Sequence, residues 1–384
     1  MIVVVGAGLI GLAIAHELAA RGASVRVMDA REPARAASWA GAGMLAPYAE
    51  AIESPAYAAF CRLSLAMYPG FVRNLVERGG VDPHLRLHGI LEATFDPAQA
   101  ERLRARVGER AAAGVAVRWL DRDEARRLEP ALDPRVLGAS LCDAEGCVDN
   151  RRLGRALRAA CAARGVRIDA FAGEIAIEAD TRRVLGIRGP DGFVAATHVV
   201  NAAGAWAGRL AGVPTAAVVP VGPIKGQMLA LTMTTRVLPR TVWVPGAYLV
   251  PRDDGRLLVG ASVEDAGFDV RVTAGGIGDL LAAAVRAMPH LADEAIVETW
   301  AGLRPGTPDG LPILGESATA GYFVASGHYR NGILLTPASA VAIADAIEGV
   351  STAALEPFSP RRFAADGDAS GKKSESAPAQ KHAS

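Results

Sequence analysis

The sequence predicts an α/β fold in which a parallel, doubly wound sheet is interleaved with a mainly antiparallel one. Three observations carry this. A short apolar run, Ile2–Val5, leads directly into glycines at 6, 8 and 11, an apolar helix and a second short strand that ends at Asp29. Continuous apolar runs of this kind mark parallel strands buried on both faces. Between residues 220 and 269 the pattern changes to short strands separated by turn residues, as antiparallel sheets require. Before it, the stretch 197–203 reads as a strand that returns to the first unit, so that unit is discontinuous in the chain.

In order along the chain, residues 12–21 place Leu12, Ala15, Leu18 and Ala19 at helical spacing, and Gly22 is suited to end that helix. Residues 25–28 form the second strand. The segment 36–47 is dense in small residues and has no period. Side chains this small let backbone approach a ligand, so a loop or a helix start is expected. A helix follows over 57–76, a strand over 87–95, and charged surface helices over 101–112 and 121–128, the latter starting near Asp121 or Asp123. Residues 150–164 are amphipathic, and 166–168 form a strand. Strands at 184–187 and 193–195 flank Gly189-Pro-Asp-Gly192, a hairpin turn. Strands are expected at 226–231, 242–244, 247–251, 256–261 and 295–300, with a helix over 275–288. Residues 300–313 read as a loop punctuated by glycine and proline. A strand at 322–325 and a helix from about 337 to 347 close the fold. The first unit then comprises 1–84, 140–215 and 299–350, and the second 85–139 and 216–298. Residues 359–384 read as a disordered tail with little to bury.

The chain has 384 residues with 41 basic and 41 acidic side chains, so no basic excess signals nucleic acid or an anionic membrane as the main partner. No stretch has the length and apolarity of a membrane span. Cys61, Cys142, Cys147 and Cys161 form no CxxC pair and no zinc-like cluster with histidines. No metal is expected, and free thiols point to the cytoplasm.

Gly6, Gly8 and Gly11 stand between a strand and a helix, with an acid at the end of the next strand. In that context GxGxxG reads as a dinucleotide site. One glycine allows the tight turn, one lets backbone reach the pyrophosphate, and one lets helix and strand pack closely. The phosphates then meet the positive end of the helix. A glycine-rich turn of an unrelated α/β domain would not need the acid. Asp29 disfavours NADP, whose 2′-phosphate it would repel, and does not separate FAD from NAD.

Arg304 can hold a carboxylate with two parallel hydrogen bonds, or it can pair with Asp309 and brace its loop. Arg330 reads on spacing alone as a surface or helix-cap arginine. Tyr248 can point its hydroxyl into a cavity from a strand, although packing is the commoner fate. Glu50 and Glu53 read as helix-cap or surface acids, and His16, His84, His88 and His198 as structural or surface residues. No Ser-His-Asp order or carboxylate pair stands out, so a cofactor is expected to carry the chemistry.

With these residues in view, the chain resembles the FAD-dependent D-amino acid oxidase superfamily, and within it the glycine oxidases. The resemblance runs from Met1 to about Gly349. Its marks are GAGLIGLAIAHELAARG at 6–22, ASWAGAGMLAP at 37–47, NAAGAW at 201–206, GLRPGTPDGLPILG at 302–315 and GHYRNGILLTP at 327–337. Many flavoproteins share the first; the second and last together are far more specific.

The resemblance implies a Rossmann-type FAD-binding domain interleaved with an antiparallel-sheet substrate domain, and noncovalent FAD. Gly6, Ala7, Gly8, Leu9, Ile10, Gly11 and Asp29 would meet its adenosine end, and Ser38, Ala42, Gly43 and Met44 its pyrophosphate and flavin. Ala203, Gly204 and Trp206 would add contacts, and Arg330, Asn331, Gly332, Ile333 and Leu334 would face the isoalloxazine. Arg304 and Tyr248 would hold the substrate carboxylate, with Arg330 nearby. The implied reaction is oxidative deamination of glycine, and of sarcosine or small D-amino acids, by hydride transfer to flavin N5. It yields an imine or glyoxylate, ammonia or an amine, and hydrogen peroxide from O2. The imine would serve thiazole formation in thiamine biosynthesis, with thiazole synthase machinery downstream. Val263 stands where close relatives carry methionine, implying a wider pocket. A homo-oligomer, dimer or tetramer, is implied as well. Two rival readings are a D-amino acid dehydrogenase or sarcosine oxidase-like enzyme, and a noncatalytic flavin-binding subunit.

Overall fold

The computed structural model describes residues 1–50, 52–233, 238–350 and 353–363. Ile2–Val5 is buried along its whole length between two parallel neighbours, Val25–Met28 and His198–Asn201. From edge to edge the sheet runs Ile313–Glu316, Tyr322–Ser326, His198–Asn201, Ile2–Val5, Val25–Met28 and Arg167–Asp169. Only the first pair is antiparallel. Side chains alternate across the central strand, as strand geometry requires. Ile2 and Val4 enter a core shared with the helices Leu9–Ala20, Pro55–Gly79, Asn150–Ala163 and Thr336–Ile347. Val3 and Val5 enter a second core with the three-stranded sheet Ala176–Ala179, Val184–Gly189 and Gly192–Ala195. The chain leaves Ile2–Val5 and His198–Asn201 toward opposite sides of the sheet. This is the switch point where open α/β sheets bind ligands.

The second sheet has eight strands, in the order Ile296–Gly306, Gly222–Thr232, Arg256–Gly260, Ala247–Pro251, Thr241–Val244, Ile90–Thr94, Gly138–Cys142 and Val117–Asp121. All neighbours are antiparallel except Thr241–Val244 beside Ile90–Thr94. One face packs through Leu229, Val242, Leu249 and Val259 against the helix Ala274–Ala287. The other turns Met228, Ala230, Val250, Leu258 and Trp300 toward Ala40 and Ala42. The small-residue segment is therefore clamped against the second sheet.

The loop expected over 300–313 is half strand. Ile296–Gly306 pairs with Gly222–Thr232 along its length, Pro305 facing Pro223. It is an edge strand, where a missing N–H is tolerated. Gly302 serves close packing, since a Cβ there would lie 2.4 Å from the Cβ of Ala40. The first helix begins at Leu9 rather than at 12, and the segment after Ala36 forms a short helix, Ala37–Ala40, and a two-residue strand, Met44–Leu45. Asp121 caps Arg122–Leu128 in a reciprocal capping box with Glu124. Gly138–Cys142 and Ile296–Gly306 each span an expected domain boundary. Residues 360–363, expected in the tail, form a 3-10 turn whose Arg362 pairs with Asp309 at 2.7 Å. The rest of the tail, 364–384, lies outside the described residues. Among the described residues no helix is long and apolar enough to cross a membrane, no side-chain cluster suits a metal, and all four cysteines are free and buried.

Candidate active site

The glycine turn shows why each of its glycines is needed. Gly6 has φ +108°, and a Cβ there would lie 2.4 Å from the Ala202 carbonyl oxygen. A Cβ on Gly11 would lie 1.9 Å from the carbonyl oxygen of Gly6, so helix and turn touch through backbone. A Cβ on Gly8 would meet only the Ser38 hydroxyl, at 3.2 Å, and Gly8 lines a cavity of about 420 Å³. That volume lies within the range of small-molecule and cofactor sites. The Asp29 carboxylate accepts from the amides of Ala7 at 2.7 Å and Arg31 at 2.9 Å. Burial pushes its carboxyl up, and these two bonds oppose the shift. The Ser38 hydroxyl accepts from the Leu9 amide at 3.0 Å.

The segment 37–44 is held from behind by its carbonyls. Asn150 Nδ2 donates to the oxygens of Ser38 (2.8 Å) and Trp39 (3.1 Å). Trp300 Nε1 donates to Ala40 at 2.9 Å, and Arg252 Nη2 to Ala42 at 2.8 Å. The same Arg252 nitrogen donates to Asn150 Oδ1 at 2.9 Å. A second such arrangement holds 332–334. Thr336 Oγ1 donates to Gly332, the Tyr68 hydroxyl to Ile333, and Ser64 Oγ to Leu334. Ala42, Gly43, Gly332 and Ile333 line the cavity, and no described residue accepts from their amides. The cavity thus presents backbone donors, which suits a ligand rich in phosphate and ring-carbonyl oxygens.

Tyr248, Arg304 and Arg330 line the same cavity. The guanidinium of Arg304 lies flat against Gly226, where a Cβ would come within 2.4 to 2.6 Å of its atoms. Its Nη1 donates to the carbonyl oxygens of Lys225 at 3.2 Å and Ser262 at 3.1 Å. Among the described residues no carboxylate pairs with it; Asp309, the expected brace partner, is taken by Arg362. Burial pulls the Arg304 guanidinium down, and nearby Arg330 adds to this. Burial pushes the Tyr248 phenol up, while Arg304 and Arg330 pull it the other way. For Arg330, burial works against the charge, but Glu50 and Tyr329 outweigh it and hold the group up. Asn331 Nδ2 donates to Glu50 Oε2 and to the Tyr57 hydroxyl, both at 3.1 Å.

Most residues expected at the site meet around this cavity. Gly6, Gly8, Leu9, Ile10, Asp29, Ser38, Ala42, Gly43, Met44, Ala203, Gly204, Trp206, Asn331, Gly332 and Ile333 line it. Ala7, Gly11 and Leu334 do not: Ala7 and Leu334 are fully buried in the core, and Gly11 faces Gly6. Arg330 is a cavity residue rather than a surface cap, and so is Glu50. Val263 is 52% exposed and is not a cavity wall, so its identity does not widen the pocket. Asn150, Arg252, Trp300 and Gly226 were not anticipated; their partners lie far away in sequence, and no local pattern marks them.

A family model described as FAD dependent oxidoreductase matches residues 1–346. The chain is 37% identical to a glycine oxidase of Pseudomonas aeruginosa over 358 residues, covering 91% of this chain and 94% of that one. It is 38% identical to the bifunctional protein ThiO/ThiG of Trichormus variabilis, covering 94% of this chain but only 55% of that protein, about half its length. The crystal structure of glycine oxidase from Geobacillus kaustophilus superposes with a TM-score of 0.89 at 36% identity, covering 94% of this chain and 98% of that one.

Proposed function

The chain belongs to the FAD dependent oxidoreductase family, and from that premise we propose that it oxidises the carbon–nitrogen bond of glycine, and of sarcosine or small D-amino acids. The observation that carries this reading is the buried Arg304 guanidinium, which faces the cavity with no carboxylate partner among the described residues. A buried cation needs an anion, and a planar fork fits a carboxylate. Tyr248 interacts with Arg304 in the same cavity, and its hydroxyl would supply a further donor to that carboxylate. Arg304 has no carboxylate partner among the described residues, so its charge disfavours a cationic amine beside it and favours the amine neutral, while Glu50 offsets the charge of Arg330.

FAD would lie along Gly6, Gly8, Asp29, Ser38, Ala42, Gly43, Trp206, Gly332 and Ile333, and the unpaired backbone amides fit its phosphate and ring oxygens. When bound, it supplies the acceptor for the hydride of the substrate α-carbon and returns the electrons to O2 as hydrogen peroxide. The protein positions the carboxylate, excludes water and needs no acid or base at the carbon. The two sheets support a division into an FAD-binding and a substrate-binding domain. The four buried thiols accord with a reducing compartment such as the cytoplasm. Service to thiazole formation and a homo-oligomeric state belong to this reading as what the family resemblance implies.

Anaerobic mixing of the holoenzyme with glycine, sarcosine, D-alanine and D-proline tests it. Bleaching of the oxidised flavin by glycine at the highest efficiency is expected, and admitted air should restore colour with release of peroxide. Recolouring only with a quinone would make it a dehydrogenase. Absence of bleaching by all four would overturn the amine reading.

A further inference from the structure

Arg304 does not place itself. Its Nη1 is held by two carbonyl oxygens that belong to different segments, Lys225 within Gly222–Thr232 and Ser262 in the turn that leaves Arg256–Gly260. The Lys225 oxygen is fixed by a sheet. The Ser262 oxygen sits on an irregular turn, and something must hold that turn against the strand.

The holding group is Glu264. Its backbone bridges Lys225 in both directions, each bond 3.0 Å. Its carboxylate then collects three side chains. Oε1 accepts from Gln227 Nε2 at 2.8 Å and from the Ser262 hydroxyl, and Oε2 pairs with the Lys225 ammonium at 3.1 Å. Ser262 is further tied to the backbone of Gln227, whose N–H donates to the Ser262 hydroxyl at 2.8 Å and whose oxygen accepts from the Ser262 N–H at 3.3 Å. Gln227 is fixed in turn by Thr273, the cap of the helix Ala274–Ala287. Lys225 is 2% exposed, and the carboxylate within salt-bridge distance of it among the described residues is that of Glu264, which is 31% exposed. Burial alone would push the Glu264 carboxyl up, but bonds from Ser262, Gln227 and Lys225 overcome it and hold the group below the usual range.

We propose that Glu264 is a positioning residue for substrate binding: its carboxylate clamps the 261–264 turn to Lys225 and Gln227 and thereby aims Arg304 at the substrate carboxylate. The inference rests on the carboxylate-binding reading of Arg304. Glu264 is not a cavity residue and touches no reacting atom. Its effect reaches the substrate only through the Lys225 and Ser262 oxygens and the guanidinium they hold. A misplacement of about 1 Å in such a group costs up to about a hundredfold, and a partial loosening correspondingly less.

The test uses the holoenzyme, with sodium acetate as a carboxylate probe read by perturbation of the flavin spectrum. In Glu264→Gln, KM for glycine and Kd for acetate should rise together by about tenfold while kcat stays within about twofold. If the bare Lys225 charge prevents folding, the double variant Lys225→Met with Glu264→Gln removes it. A purely structural role would then be rescued, whereas the raised KM and Kd should persist. Wild-type KM and acetate Kd in a folded variant would overturn the proposal. Arg304→Lys run in parallel separates the two readings. If it also binds acetate normally, the carboxylate reading itself fails; if it loses acetate while Glu264→Gln keeps it, only the role of Glu264 fails.

Discussion

Replacing Gly226 by alanine isolates the placement of Arg304 from the stability of the fold. Gly226 sits within the strand Gly222–Thr232, and the added Cβ would lie 2.4, 2.5 and 2.6 Å from Nη2, Nη1 and Cζ of Arg304. Non-bonded heavy atoms settle at about 3.5 to 4.0 Å, so the guanidinium must move by about 1 Å. The strand itself need not, because those three atoms are the nearest obstacles and belong to the free end of one side chain. Alanine at a compatible site restricts the unfolded chain and adds about 0.4–1 kcal/mol of stability, which offsets part of the cost of the shift. Moving the guanidinium breaks its bonds to the Lys225 and Ser262 oxygens and spoils the bidentate geometry. A loss of up to about a hundredfold in kcat/KM for glycine is expected, close to 2.7 kcal/mol, carried mostly by KM. Steady-state peroxide production gives the kinetic constants, and acetate titration of the flavin spectrum gives binding without turnover. A variant that melts like wild type and keeps KM within about threefold would refute the argument.

Gly11→Ala should yield protein without flavin, because its Cβ would lie 1.9 Å from a backbone oxygen that cannot swing aside; a yellow protein with full FAD content after gel filtration would contradict this. Arg252→Met should weaken FAD binding at least tenfold in fluorescence titration of the apoprotein. It strips the donor from the Ala42 and Asn150 oxygens, and each buried unsatisfied acceptor costs about 1–3 kcal/mol. Glu145 gives a pH prediction. Burial pushes its carboxyl from 4.5 up to about 7, although it accepts from the amides of Tyr48 and Ala49. Its folded value lies above its unfolded one, so the stability present below about 4.5 is lost as pH rises through about 7. Glu145→Gln stays neutral throughout, so its Tm should match wild type near pH 5 and exceed it at pH 8; parallel curves would refute the assignment.

The nucleotide-binding unit was legible because its signals are local. Ile2–Val5, the glycines and Asp29 lie within thirty residues, and the spacing of the motif shows even where the steric demand, as on Gly6 from Ala202, comes from far along the chain. Arg304 was legible as a residue type but not as a position. Gly302, Pro305 and Gly306 looked like loop punctuation, whereas the stretch is an edge strand whose glycine at 302 admits Ala40. Spacing left Arg330 open to a surface reading, which only the family resemblance displaced, and Glu50 read as a cap or surface acid, for a related reason. Their burial is set by how the segments near 50 and 330 close over one cavity, and nothing in either stretch alone shows it. The two-residue strand Gly146–Cys147 carries too few residues to show a period.

The residues that stayed hidden share a physical logic. A site that binds its ligand through backbone amides needs small side chains at the surface it presents, so the segment 37–44 advertises itself by what it lacks. Such backbone must still be held rigid, and its carbonyls are the only polar handles left. Asn150, Arg252 and Trp300 take those handles from residues more than a hundred positions away. Glu264 does the same for the turn behind Arg304. In both places the charged or amide side chain bonds to protein rather than to ligand, and its value lies in leaving another group correctly aimed. Preorganised donors cost no rearrangement when the ligand arrives, which is where binding and catalysis gain most from a fixed scaffold. It follows that substitutions at Arg252 and Glu264 should separate by readout: the first acts on the retention of FAD, the second on the binding of a carboxylate by enzyme that keeps its flavin.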